Sequence, residues 1–315
     1  MQRTILGLHH VTATVNQAQP DLDFYRGALG LRLVKKTVNF DNPNVYHFYY
    51  GDERGMPGTI WTTFPYGGWG VAPGRHGAGQ ITTTSFSIPA GSLSSWALRL
   101  QDNGVSSQED SAGGGNAIVA TDPSGLQVRL IEARNDPRTP WTGSGLSADM
   151  AIRGLHSVTL TVTDPGPSVS FARELLGFEV VDESEGLVRM AVNGDLPGHA
   201  LELNYGGDAP PARNGLGTVH HVALAIADED EQRQLRQELI ARGISVTDVL
   251  DRQYFRSIYF REPGGVLYEA ATVAPGFTVD EPLAALGQAL KLPPWEEKNR
   301  ATIESNLAVI DSARR

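Results

Sequence analysis

Three residues far apart in the chain, His10, His221 and Glu269, are of the types that together bind a divalent cation and leave coordination positions free. Two imidazoles and one carboxylate, with open positions opposite them, are the donor set of a non-haem Fe(II) oxygenase. His10 lies in GLHHVTATV at 7–15, and His221 lies in an echo of that segment, TVHHVALAI at 218–226. Equivalent places in a repeated strand pattern give folding a way to bring both onto one ion. The chain therefore reads as an enzyme that activates O2.

Each of these histidines is the second of a doublet. Successive strand residues face opposite sides of a sheet, so alternation allows only one imidazole of each pair on a shared site. His10 goes with Thr12 and Thr14, whereas His9 goes with the apolar set Val11, Ala13 and Val15. His221 goes with Ala223 and Ala225, and His220 with Val222, Leu224 and Ile226. The second histidine is thus expected on the roomier face. Glu269 shares its face with Leu267 and Ala271, where a carboxylate is costly to bury unless it meets a cation. His9, His156 and His220 suit a packed histidine bonded to backbone, with orientation of the ligands as the other reading for His9 and His220. His47, His76 and His199 have no such placement and are expected in surface or loop roles.

These residues must be positioned by a duplicated frame. GLHHVTATV (7–15) and GLHSVTLTV (154–162) match at seven of nine positions, and FYRGALGLRLV (24–34) matches FARELLGFEVV (171–181) at the same offset. Weaker copies follow each, from GQITTTSFSIP to DPSGLQVRLIEA (122–133) and from TVHHVALAI to EPGGVLYEAAT (262–272). The expected fold is α+β, four βαβββ modules. The Pro-, Gly- and Ser-rich run at 135–149 reads as the connection between halves. Modules one and two are assigned to 1–140, a linker to 141–150, modules three and four to 151–275, and a helical tail to 276–315.

The donors then select how modules pair. Modules one to four offer His10 with Thr62, Thr83 with Arg129, Ser157 with Glu202, and His221 with Glu269. Pairing one with two gives no metal site. Pairing one with four gives His10, His221, Glu269 and a neutral Thr62, with room for water, O2 and substrate. Modules two and three are then expected to face each other, with Arg129 and Glu202 as an ion pair filling a dead copy of the site.

Composition narrows the partners. The net charge of −10, from 26 Lys and Arg against 36 Asp and Glu, disfavours nucleic acid and anionic membranes, so a small molecule is expected. With no cysteine, disulfides, thiolate nucleophiles and Cys-ligated metals are excluded. The N-terminus enters a strand pattern without a charged and apolar leader, and no apolar run approaches membrane-spanning length. A cytoplasmic location and a homo-oligomeric state are the default expectations.

The residues resemble the vicinal-oxygen-chelate superfamily of paired βαβββ modules, which includes glyoxalase I, extradiol dioxygenases and bleomycin-binding proteins. More narrowly, the HHVT start, the HHVA of module four, the LYE strand and the LPPW of the tail look like the hydroquinone ring-cleaving dioxygenases. That resemblance implies half-barrels built from modules one with four and two with three. It also implies Fe(II) at His10, His221 and Glu269, with Mn(II) or Zn(II) compatible with the same donors. His9, Thr12, His220, Arg252 and Tyr259 would contact the ligands or substrate. The activity implied is extradiol-type cleavage of a small, substituted hydroquinone with O2. A glyoxalase-like isomerase or lyase is the main alternative, against which Thr62 stands in place of a second carboxylate. A small-molecule-binding protein without catalysis is the other.

Overall fold

The computed structural model describes residues 5–110, 117–184 and 186–311. The first few residues of module one and the last four of the tail thus lie outside the described residues. Module one contributes β1 (Ile5–Val15), β2 (Arg32–Asn39), β3 (Asn42–Gly51) and β4 (Ile60–Pro65). Module two contributes β5 (Gln80–Pro89), β6 (Ser107–Asp110), β7 (Ala117–Thr121) and β8 (Gln127–Ala133). Module three gives β9 (Gly154–Val162), β10 (Glu179–Ser184), β11 (Leu187–Ala191) and β12 (Ala200–Tyr205). Module four gives β13 (Thr218–Ile226), β14 (Leu250–Asp251), β15 (Phe255–Arg261) and β16 (Leu267–Pro275).

Each module places one helical segment after its first strand. Asp164 and Asp228 cap two of these helices, each carboxylate accepting backbone N–H groups of the first turn that have no partner inside the helix. The repeated Leu-Gly ends the helical segments of modules one and three, with Gly30 (φ 71°) and Gly177 (φ 78°) in the left-handed region that glycine enters without a Cβ clash.

The sixteen strands of the described residues form two curled sheets of eight, ordered β14-β15-β16-β13-β1-β4-β3-β2 and β10-β11-β12-β9-β5-β8-β7-β6. Module one therefore pairs with four, and two with three, through antiparallel β1–β13 and β5–β9. Val11, Ala13, Val15, Val222, Leu224 and Ile226 point to the main core, where the helices cover the sheets. Burying a side chain of this size is worth roughly 1.5–3 kcal/mol, so these outward alternating positions fix the register of the two central strands.

Alternation breaks at four matching places. Cα pairing passes from Leu8–Leu224 to His10–Ala223, so His9 and His10 together oppose one residue of β13. It then passes from Thr12–His221 to Ala13–Val219, so His220 and His221 together oppose one residue of β1. In the other sheet the extra residues are Thr82, beside Thr83, and His156, beside Ser157. Each doublet sits on a β-bulge, and a bulge re-aims side chains that a regular strand would send to opposite faces. The expectation that the two imidazoles of a doublet face opposite ways is overturned for that reason.

The tail is helical only in part, with three single 3-10 turns and one helix, Arg300–Asn306. Pro282, Pro293 and Pro294 interrupt it. Phe277 packs on Tyr49 and Tyr254, and Leu286 joins the same cluster, so the tail bridges β3 of module one to module four. Buried Lys35 of β2 donates to Asp280, at 2.6 Å, and to Glu281.

Candidate metal centre

β1, β13 and β16 lie side by side at the middle of their sheet and carry the three donors to its concave face. Ala223 pairs with Glu269 across β13 and β16, and with His10 across β13 and β1. The chain thus brings His10, His221 and Glu269 together at matched levels. His10 Nε2 lies 3.3 Å from His221 Nε2 and 3.2 Å from Glu269 Oε2, and His221 Nε2 lies 2.8 Å from the same oxygen. All three side chains are buried.

These separations fit a cation. Two ligands about 2.1 Å from one ion and at right angles to each other stand about 3 Å apart. Glu269 Oε1 accepts a hydrogen bond from Ser257 Oγ, while among the described residues Oε2 is faced only by the two ring nitrogens. Burial alone would raise the Glu269 carboxyl, but the adjoining His10 and His221 hold it well below the usual carboxylate range. Burial lowers His221, which favours the neutral imidazole a metal needs. Three lone-pair donors converging in a buried space are what a divalent ion would neutralise.

The first histidine of each doublet touches the second. His9 Nδ1 lies 2.9 Å from His10 Nδ1, and His220 Nδ1 lies 2.7 Å from His221 Nδ1. One proton serves each contact. If Nε2 of His10 and His221 is left bare for a metal, the proton sits on their Nδ1, and His9 and His220 accept it. Burial, and then the neighbouring His10 or His221, lowers both His9 and His220 to about 3, so each remains a neutral acceptor at neutral pH.

The centre opens onto a cavity of about 520 Å³ walled by Phe40, Tyr49, Phe64, Phe255 and Leu267. Thr12 lines it and accepts from Thr62 Oγ1 at 2.8 Å. Arg252 and Tyr259 stand on the module-four wall, with Arg252 Nε 3.3 Å from Tyr259 Oη. The Arg252 guanidinium also donates twice to Asp41, at 3.2 and 3.0 Å. Burial and the charge of Glu269 push the Tyr259 hydroxyl upward, so it stays a phenol. No described residue of the tail lines this space, though Trp295 meets the outer wall residue Phe40 edge to face at 5.6 Å.

His47 corrects the sequence reading. It is a buried residue of β3 that lines the cavity, not a loop residue, with its ring 4.0 Å from that of Tyr49 and 4.3 Å from that of Phe64. The signal was the alternation of YHFYY, which puts His47 and Tyr49 on one face. His76 is exposed in a connection, and His199 bonds to the Val192 carbonyl at 2.9 Å.

The pseudo-equivalent place between modules two and three holds charge pairs. Glu202 accepts from Ser157 Oγ at 2.9 Å, Thr159 Oγ1 at 2.8 Å and Arg189 Nη1 at 2.8 Å. Arg129 does approach Glu202, at 3.9 Å, but its nearer carboxylate is Asp110, at 2.8 Å. The expected pair is therefore a wider network in which Arg189, from β11, is the direct partner. His156 keeps the doublet contact, its Nδ1 lying 3.1 Å from Ser157 Oγ where a ligand would stand.

Residues 7–130 and 154–270 match the Glyoxalase/Bleomycin resistance protein/Dioxygenase superfamily, which covers most of the chain. The chain belongs to this superfamily. It is 42% identical to a Bacillus subtilis (strain 168) protein designated a ring-cleaving dioxygenase, MhqE, over 94% of this chain and 96% of that one. It is 37% identical, over 92% of both chains, to the chlorohydroquinone/hydroquinone 1,2-dioxygenase of Sphingobium indicum. Among solved structures, a Bacillus subtilis protein described as a dioxygenase superposes with a TM-score of 0.93 at 37% identity, covering 98% of both chains. Glyoxalase I from Zea mays, at 16% identity and a TM-score of 0.63 over 84% of this chain and 92% of its own, shares the fold.

Proposed function

We propose that this chain is a metal-dependent, ring-cleaving dioxygenase that opens a hydroquinone-type aromatic with O2, holding Fe(II) through His10, His221 and Glu269. The observation that carries the reading is the convergence of those three donors at the floor of an aromatic-walled cavity. Fe(II) supplies the redox centre through which a closed-shell ring reacts with O2, and its charge favours ionisation of a phenol beside it. Relatives named for ring cleavage, one of them for hydroquinones, support the reaction and substrate class.

The chain's own groups fit that chemistry. Arg252, fixed by Asp41, offers positive charge to an oxygen anion developing on the substrate. Tyr259 and His220 stand where a proton can be handed on. The aromatic wall seats a planar ring and excludes water. A para pair of hydroxyls has no bond between adjacent hydroxyl carbons, so the bond opened lies between one hydroxyl carbon and its neighbour, an extradiol-type break in that sense. Thr62 stands where an isomerase would place another carboxylate, and it already donates to Thr12.

The test is oxygen uptake by anaerobically purified, Fe(II)-loaded protein given methylhydroquinone. Equimolar loss of O2 and substrate is expected. No uptake, with turnover of a hemithioacetal, would transfer the chain to the isomerases. Binding without turnover of either would leave a carrier.

A further inference from the structure

Among the polar groups of the cavity that the proposed chemistry has not used is the imidazole of His47. Its Nε2 lies 3.0 Å from Thr62 Oγ1, and Thr62 Oγ1 in turn donates to Thr12 Oγ1 at 2.8 Å. A hydroxyl has a single proton to give. Since that of Thr62 goes to Thr12, Thr62 can only accept from His47, which places the imidazole proton on Nε2. Nδ1 is then a bare lone pair, and no hydrogen-bond donor meets it among the described residues.

The position of this lone pair is informative. Pairing across the sheet runs from His221 to Thr12, from Thr12 to Thr62, and from Thr62 to Tyr49. His47 precedes Tyr49 by two residues on the same face of β3. It therefore stands on the module-one wall, with the ligand cluster on the floor and Arg252 and Tyr259 on the opposite wall. Its ring is clamped between Tyr49 and Phe64, so its plane is set before any ligand enters. Burial holds it well below the ordinary imidazole range. It remains an acceptor at neutral pH.

We infer that His47 Nδ1 accepts a hydrogen bond from the substrate hydroxyl farther from the metal centre, so that Thr12, Thr62 and His47 form a relay that selects hydroquinones over rings lacking a second hydroxyl. This inference rests on the reading of the chain as a hydroquinone dioxygenase. It adds the residue that reads the para position. A methyl or ether there brings no proton and leaves Nδ1 buried and unpaired, which is how a polar site rejects a near-isostere.

The probes are hydroquinone and 4-methylphenol, which differ by a hydroxyl exchanged for a methyl of similar size. Their binding to metal-loaded protein is followed anaerobically by calorimetry, so no turnover is needed. Wild type is expected to favour hydroquinone by about tenfold or more, the worth of one buried hydrogen bond. His47→Leu should bring the ratio close to one while keeping affinity for 4-methylphenol. His47→Asn, whose side-chain oxygen can take the place of Nδ1, should restore most of the preference. Thr62→Val, which frees the tautomer, should fall between the two. An unchanged ratio in His47→Leu, or an equal loss for both ligands there, overturns the inference while oxygen uptake by wild type keeps the dioxygenase reading. A wild type that neither binds nor oxidises hydroquinone overturns both.

Discussion

His9 Nδ1 lies 2.9 Å from His10 Nδ1, although neighbours on a regular strand face apart. The bulge at this point of β1 turns both rings to the concave side, and the ring of His9 also packs on Phe255 at 5.0 Å. His9 is thus placed to accept the Nδ1 proton of His10 and hold its Nε2 bare. His9→Phe keeps the ring contact and removes the acceptor. Metal affinity should fall about 10–100-fold, read by competition with a chromophoric chelator, while far-UV circular dichroism stays the same. Equal affinity in the two proteins would mean that His9 only packs.

The proposed ligands were legible because sequence repeats expose equivalence. His10 and His221 recur at one place in a module, and Glu269 follows a turn that recurs at Asp122. Module pairing followed from asking which combination gives a donor set at all. The bulges were not legible. Strict period-2 reasoning has no place for an extra residue, and no glycine or proline marks these four positions, since their Cα pairing shifts within ordinary strand sequence. Arg189 and His47 were missed for a related reason. Both lie on inner strands of modules, whereas the repeat equivalences that single out donors connect each module's first and last strand.

The dead copy of the site should be a stability element. Glu202 has a side chain only 8% exposed, and truncating it leaves Arg189 Nη1 and the hydroxyls of Ser157 and Thr159 without their acceptor, while Asp195 still pairs with the Arg189 guanidinium at 2.8 Å. Glu202→Ala should cost roughly 1–3 kcal/mol in a urea titration, with metal stoichiometry unchanged. A loss of bound metal in this variant would show that the two half-barrels are coupled, contrary to the separation of their sheets.

Asp21 gives the fold a pH dependence unrelated to the metal centre. It sits under the module-one sheet, accepting from Tyr50 and Thr63 at 2.6 Å each, and burial raises its carboxyl from 3.8 to about 7 despite those two hydrogen bonds. The folded protein keeps this proton up to about pH 7, while the unfolded chain releases it near 3.8. The associated stability is therefore complete below the unfolded value and is lost as pH rises through the folded one. Urea midpoints should fall between pH 5 and pH 8 in wild type. The decline should flatten in Asp21→Asn, and a slope equally steep in the variant would assign it to other groups.

Metal removal provides the most direct reading of the centre. In the apoprotein Glu269 Oε2 and two imidazole nitrogens crowd within 3.3 Å of one another. A cation that binds only the folded form adds stability by mass action, about 2.7 kcal/mol at a hundred times its dissociation constant. Zn(II) is a suitable probe because it shares the donors without redox chemistry. Adding it to chelator-treated wild type should raise the thermal midpoint. Glu269→Gln keeps the volume and can still meet Ser257, but its neutral amide is a poor ligand. Its apoprotein should unfold somewhat earlier than that of wild type, because a carboxylate held ionised by favourable contact with His10 and His221 has gone, and its midpoint should no longer respond to the metal. A wild type indifferent to Zn(II) and Fe(II) alike would show that the three donors are an ion-paired cluster of the core.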